Sequence, residues 1–253
     1  MTAKADHWTF LKQYTHARIA LGRAGHSVPT KELLDFRMAH SRARDSVWRE
    51  VDFQQLQEDL KDPNNEVMTV QSKCNNKQNF LLNPNQGRKL ATDSKKILQE
   101  FAKKSKSIDC LLVIADGLSA DAVQSNAAVF AREFLNSINE AGLKLGPIVL
   151  ARYARVALGD EIGAAFKARA VLMLIGERPG LASSDSLSVY FTYQPTEECT
   201  DANRNCISNI HASGLSPTGA AKMSVFLVQN SIQRKLSGVD LKIEYPDFTR
   251  LIP

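Results

Sequence analysis

"CLLVIADGLSADAVQSNAAVFAREFLNSINEAGLKLGPIVLARY", residues 110–153, decides the fold class. Six apolar residues, Cys110 to Ala115, run without interruption and stop at Asp116-Gly117. A strand covered on one face alternates apolar and polar side chains, whereas one covered on both faces reads as a continuous apolar run. Residues 110–115 are therefore expected to be a central strand. From Ser119 to Gly142 the apolar residues take helical spacing and end on glycine, and a second short apolar run follows at 147–153. Strand, helix and strand in this order predict a parallel pair with the helix as its crossover.

The same alternation continues downstream. A short helix over 159–168 precedes "AVLMLIG" (170–176), then "SLSVYFTY" (186–193), then a helix from Pro217 to Ser237 stopped by Gly238. Upstream, "NQGRKLATDSKKILQEFAKK" (85–104) reads as a helix. "VMTVQ" (67–71) and "NFLLN" (79–83), set among turn-rich segments, predict a hairpin. The N-terminal part reads as helices over 6–21, with Gly22 and Gly25 as stop signals, and over 29–48, opened by Pro29-Thr30. The expected fold is α/β: a doubly wound, mostly parallel sheet in a Rossmann-like domain over 61–253, with a small all-helical domain over 1–60.

Composition narrows the function classes. Lysine and arginine number 32 against 27 acidic residues, a net charge of +5. Nine basic against five acidic residues lie within the first fifty, so most of the surplus is N-terminal. Such an end suits an anionic ligand, an acidic partner or a solvated helical face, and no motif with interleaved aromatics accompanies it to favour nucleic acid. No apolar run approaches the roughly 20 residues of a membrane-spanning helix, and the first residues lack the apolar core of a secretory signal. The four cysteines show no disulfide-framework spacing, which fits reduced thiols in the cytosol. Cys199, Cys206 and His211 fall close together but form no CxxC pair, so no metal site is expected.

In an open parallel sheet, ligands bind beyond the carboxyl ends of the strands. Three such ends are polar here and are expected side by side: "ADGLSADA" (115–122), "RYARVALGDE" (152–161) and "GERPGLASSDS" (176–186). Ser119 suits a helix N-cap, and an anion site at the same helix start is the other reading. Neither GxGxxG nor GxxxxGK[ST] is present. Arg152 and Arg155 could meet a phosphate or carboxylate ligand, or form structural salt bridges. Gly176 would admit close backbone approach to a ligand, and Pro179-Gly180 suits a type II turn. For Glu177, a ligand rich in N–H or O–H groups and an ion pair with Arg178 or Arg155 are both open. No GxSxG, no HExxH and no nucleophile with a recognisable base appears, so binding is favoured over bond making and no catalytic residue is expected.

Seven segments carry a family resemblance in order: "THARIALGRAG" (15–25), "LLDFRMAHSRARDSV" (33–47), "NPNQGRKL" (83–90), "ADGLSADA", "RYARV" (152–156), "GERPGLASSDSLSVY" (176–190) and "RNCISNIHASG" (204–214). With these the chain resembles, nearly end to end, the light chain of ethanolamine ammonia-lyase. The resemblance implies a subunit of an adenosylcobalamin-dependent enzyme that converts ethanolamine to acetaldehyde and ammonia by a radical route. It implies a large (heavy) chain partner that holds the substrate, a hetero-oligomer of repeated heavy–light pairs, and no nucleic-acid or membrane partner. The cofactor contacts it implies are Val156, Glu177 and Cys206, and none of them ligates the metal.

"NIHASG" (209–214) is close to the D-x-H-x-x-G segment of some corrinoid proteins, but Asn209 replaces the orienting Asp and only 39 residues follow Gly214. His211 is therefore expected to be a loop or capping histidine, in keeping with a family whose cofactor retains its own base on cobalt. The chain begins almost at its first expected helix, without the polar extension that many relatives carry. The expected location is a bacterial microcompartment where the organism builds one, and otherwise the cytoplasm. The competing reading is a stand-alone nucleotide- or phosphometabolite-binding module built on Ser119 and Arg155.

Overall fold

The computed structural model describes residues 6–243 apart from residues 16, 24, 64 and 106. Lys4 and the outer ends of the two expected domains thus lie outside the described residues. Seven helices and six strands are present among the described residues: α1 (Thr30–Trp48), α2 (Phe53–Asp59), β1 (Val67–Gln71), α3 (Lys77–Leu82), α4 (Thr92–Lys104), β2 (Cys110–Ala115), α5 (Ala120–Glu140), β3 (Ile148–Arg152), α6 (Leu158–Ala165), β4 (Ala170–Gly176), β5 (Leu187–Tyr193), β6 (Arg204–Ile210) and α7 (Pro217–Arg234).

The strands form one mixed sheet in the order β1-β3-β2-β4-β5-β6. β1, β3, β2 and β4 pair in parallel, and β5 runs antiparallel to both β4 and β6. The chain leaves β2 towards β3 and leaves β4 towards β5, in opposite directions along the sheet. Every residue of β2 and β4 is buried, as the uninterrupted apolar runs require. Cys110, Leu112 and Ile114 pack with α2, α5 and α7 in one core cluster. Leu111, Val113 and Ala115 pack with α4 and α6 in another. Helices therefore cover both faces of the sheet.

α5 begins where expected: the Ser119 hydroxyl accepts from the Ala122 N–H at 3.0 Å, satisfying a free amide of the first turn. α7 ends at Arg234, and Gly238 opens a short 3-10 turn. Four local expectations are corrected. The predicted hairpin does not form, because only 67–71 is extended while 77–82 is α3, capped by the Asn76 side chain on Asn79 N–H. The predicted helix over 85–104 starts at Thr92, behind a 3-10 turn Gln86–Arg88. β6 was not read as a strand; only Arg204, Ile207 and Ile210 of it are buried, too few for a clear alternation.

The fourth correction concerns the first predicted helix. Thr9–Gln13 is a 3-10 turn and no α-helix precedes Thr30 among the described residues. Its apolar stripe meets no core: Trp8 is 62% and Tyr14 76% exposed. Short helices gain most of their stability from packing an apolar face, and here that contribution is absent. α1 is similar in that Ser46 is its one buried residue. Val51, Phe53, Leu56 and Leu60, by contrast, belong to the core cluster beneath α5.

Gly117, at the turn that leaves β2, has φ +54°, and a Cβ there would stand 2.2 Å from the Gly176 carbonyl oxygen. Gly117→Ala combines a left-handed backbone with a backbone clash. It is expected to lower unfolding stability by about 2 kcal/mol or more, read as a fall in the urea midpoint at unchanged slope.

Candidate functional site

The tips of β3 and β2 are bound together by one carboxylate. Asp116 is 3% exposed and accepts three backbone N–H groups: Gly117 at 2.9 Å, Ala154 at 3.0 Å and Tyr153 at 2.8 Å. Burial pushes this carboxyl above its ordinary range, and Lys77 with the three N–H donors pulls it back. Tyr153 sits at φ +53°, a region that costs a non-glycine residue energy unless its surroundings enforce it. The enforcement is visible: its N–H is held by Asp116, its carbonyl accepts from Ser72 Oγ at 2.7 Å, and its hydroxyl donates to Glu50 at 2.7 Å. The chain thereby turns so that Arg155 and Val156 follow at the tip, with Arg155 N–H on the Gly87 carbonyl at 2.8 Å.

On the other side, Leu118 N–H donates to the Gly176 carbonyl at 2.9 Å. A Cβ on Gly176 would lie 2.3 Å from the Ser119 carbonyl oxygen. The close approach that Gly176 permits is thus to the protein's own β2–α5 turn, which corrects the expectation of a ligand there. Gly180 does not take the positive φ of a type II turn; its N–H bonds the Ser183 carbonyl at 2.8 Å instead. Ser119 is fully buried, and its hydroxyl donates to the Ser184 carbonyl at 2.6 Å and meets Ser46 Oγ at 3.0 Å. The capping reading holds, and no room for a phosphate is left at this helix start.

Val156, Glu177 and Cys206, far apart in sequence, meet around Tyr190. The Tyr190 hydroxyl donates to Glu177 Oε1 at 2.9 Å. Cys206 stands opposite Tyr190 in the β5–β6 ladder, and both line a cavity of about 570 Å³ together with Val156, Arg88, Arg155 and Arg204. Cys206 is exposed and free, and burial of the thiol's surroundings, then Glu177, raises its pKa. Burial, followed by the bond to Glu177, likewise holds the Tyr190 phenol well above its ordinary value. At one wall Arg204 and Asp160 form a buried ion pair, with 4% and 5% of their side chains exposed. Burial pushes Asp160 up to about 6 against the pull of Arg204.

Glu177 makes no ion pair with Arg178 or Arg155 among the described residues; its recorded side-chain partner is Tyr190. Cys199, Cys206 and His211 do not converge, and no cluster able to hold a metal ion occurs among the described residues. The His211 ring is 8% exposed, with Nε2 at 2.9 Å from Asn209 Oδ1 and Nδ1 accepting from Ser213 N–H, a capping role. A separate cavity of about 470 Å³, lined by Glu66, Phe101 and Lys104, lies at the opposite ends of the parallel strands and holds none of the predicted residues. Sequence reasoning passed over Tyr190, Asp116 and Arg88. An Asp-Gly that stops a wholly apolar strand was the available signal for Asp116; Tyr190 and Arg88 had none.

A family model described as "Ethanolamine ammonia-lyase light chain (EutC)" matches residues 5–242. The chain belongs to the ethanolamine ammonia-lyase light-chain family. It is 47% identical over 232 residues to an ethanolamine ammonia-lyase small subunit of Rhodopseudomonas palustris, covering 92% of this chain and 88% of that protein. Small subunits of Pseudomonas fluorescens and Pseudomonas putida are 43% and 44% identical over 238 residues, covering 94% of this chain and 87% and 88% of theirs. As a light-chain relative the protein is a lyase-associated subunit, and no helix among the described residues is long and apolar enough to cross a membrane.

Asp116 is the group on which the geometry of these tips rests. Asp116→Ala strands three buried N–H donors and is expected to cost about 3 kcal/mol or more, with Asp116→Asn costing less because one acceptor oxygen remains. Denaturant unfolding of the two variants checks the order.

Proposed function

We propose that this chain is the small subunit of an adenosylcobalamin-dependent ethanolamine ammonia-lyase, and that Val156, Glu177 and Cys206 form its share of the cofactor site. The observation that carries the reading is that Val156 and Cys206 line one cavity with Tyr190, whose hydroxyl holds Glu177. The donor set fits the group. A corrin edge carries amide N–H groups, and an ionised Glu177, with Oε1 on Tyr190, keeps Oε2 as an acceptor. Val156 offers an apolar contact, and exposed Cys206 offers a small polarizable one.

When bound, the cofactor supplies a radical through homolysis of its cobalt–carbon bond. This chain's residues bind and orient. Glu177 accepts from the ligand's amides or hydroxyls, Tyr190 fixes the carboxylate, and Asp116 sets the tip that presents Val156. No nucleophile or base is assigned here, and ethanolamine conversion to acetaldehyde and ammonia falls to the large subunit. A cavity of about 570 Å³ is smaller than a whole cobalamin, which supports a half-cradle closed by that second chain.

Exposed apolar side chains on the N-terminal segment support such a partner. Leu34 is 57% and Met38 56% exposed, one helical turn apart on α1, and unpartnered apolar patches mark interaction sites. In this reading 61–253 is a doubly wound, Rossmann-like unit and 1–60 a helical appendage rooted through α2. Covered sheet faces and the opposite exits from β2 and β4 support it. The heavy–light pairs are proposed to repeat in a hetero-oligomer, working in the cytoplasm or in a bacterial microcompartment where one is built.

Co-expression with the large subunit is expected to give a stable complex that takes up adenosylcobalamin with a cobalamin spectrum. Glu177→Ala should weaken cofactor binding roughly 10- to 100-fold, equivalent to about 1.5–3 kcal/mol for a charged acceptor. A change within about twofold in spectral titration would remove Glu177 from the site. Leu34→Glu with Met38→Glu should abolish co-purification of the large subunit while moving the isolated chain's stability by less than about 0.5 kcal/mol.

A further inference from the structure

The C-terminal end of α1 is tied to both segments that carry Val156 and Glu177. Ser46, the buried residue of α1, has its Oγ 3.0 Å from Ser119 Oγ, and Ser119 donates to the Ser184 carbonyl at 2.6 Å. With the Ser119 proton engaged on Ser184, Ser46 is the donor to Ser119. This hydroxyl chain joins α1 to the connection between β4 and β5, which Glu177 opens. Just beyond the helix, Glu50 accepts from the Tyr153 hydroxyl at 2.7 Å, which joins the same end to the tip that leads into Val156. Between these ties, Arg49 forms an ion pair with Asp121 in the first turn of α5.

The Glu50 bond differs from the other two in what it holds. Tyr153 keeps a left-handed backbone at φ +53°, a conformation that persists only where the surroundings fix it. Asp116 and Ser72 hold its N–H and carbonyl, and both belong to the sheet's own strand ends. Glu50 holds the side chain and comes from the N-terminal segment. Burial first, and then the bond to Glu50, push the Tyr153 phenol up to about 12, so the hydroxyl stays a donor at neutral pH. Glu50 itself is exposed and is not among the residues that line the cavity. Any effect it has on a ligand there passes through Tyr153.

We infer that Glu50 is a positioning residue that couples α1 to the cofactor site: a large subunit seated on α1 fixes the β3 tip, and with it Val156, through the Tyr153 hydroxyl. The inference rests on the cofactor reading above and adds a regulation of that same site. Leu34 and Met38, the exposed residues proposed to meet the large subunit, stand on the helix whose far end holds the tip. A hydrogen-bonded helix of 19 residues is a rigid element able to carry such coupling. Docking on α1 then restrains Glu50, and Glu50 restrains the one residue of the tip whose backbone is strained.

The complex with the large subunit is titrated with adenosylcobalamin, following absorbance. Glu50→Ala and Tyr153→Phe should each weaken binding roughly three- to tenfold, and the double variant no more than either alone, because one bond is removed in all three. Glu50→Gln, whose amide oxygen still accepts, should stay within about twofold of the wild type. Hydrogen exchange without cofactor then compares the isolated chain with the complex. The amides of Tyr153 to Val156 should exchange several-fold more slowly in the complex, and Glu50→Ala should remove that slowing while α1 remains protected by the docked partner. Glu50 is exposed, so its variants keep the test valid if Tyr153→Phe fails to fold. Additive losses, a Glu50→Gln variant as weak as Glu50→Ala, or slowed tip exchange that survives Glu50→Ala each overturn the inference. A wild-type complex that takes up no adenosylcobalamin overturns the cofactor reading itself, and the exchange comparison still decides the link from α1 to the tip.

Discussion

A single buried carboxylate holds the strand tips in place. Asp116 ends the central strand, and its two oxygens take backbone N–H groups from its own turn and from the neighbouring tip. An ionised carboxylate away from water is costly unless its lone pairs are met. Here three N–H donors meet them, and the charge of the buried Lys77, which donates to the Gly117 carbonyl, adds to their pull. The return is positional: Tyr153 adopts a left-handed backbone, and the residues after it, Arg155 and Val156, are delivered to the cavity wall. The glycine pair Gly117 and Gly176 closes the opposite side, each present because the other backbone is too near for a side chain.

Around this scaffold, charge is distributed unevenly. The buried Lys77 and the half-buried Arg155 share the Phe80 ring, at 5.4 and 4.1 Å from its centroid, which offsets part of the cost of removing them from water. Arg204 is neutralised by Asp160, whereas Arg155, Arg88 and Arg178 form no ion pair among the described residues, and Asp116 acts on Arg155 as a counter-charge. Glu177 is the opposite case, an acceptor oriented by a tyrosine.

The N-terminal segment follows different physics. α2 is anchored by Phe53 and Leu56 in the sheet's core cluster, while α1 and the 3-10 turn before it leave large apolar groups in solvent. Among the described residues, large apolar side chains of this segment such as Trp8, Tyr14, Leu34 and Met38 lie exposed. The same fact explains why helical periodicity over 6–21 produced no α-helix: the pattern was present, but the surface it would bury against was not.

The residues by themselves determined the layered α/β sheet and the cap at Ser119. Runs such as 110–115 and 170–176 can satisfy their apolar length only between two covering layers, and a hydroxyl three residues before a free N–H caps it locally. The seven ordered segments likewise carried the family. The tertiary structure alone decided that Val156, Glu177 and Cys206 share Tyr190, that Glu177 bonds the phenol and not an arginine, that Gly176 meets the protein's own backbone, and that Asp116 fastens two strand ends. Each of those facts joins residues 13 or more positions apart. Local pattern encodes which side of an element is apolar, but the partner of a polar atom is set by strand order and register, which appear only once the sheet has closed.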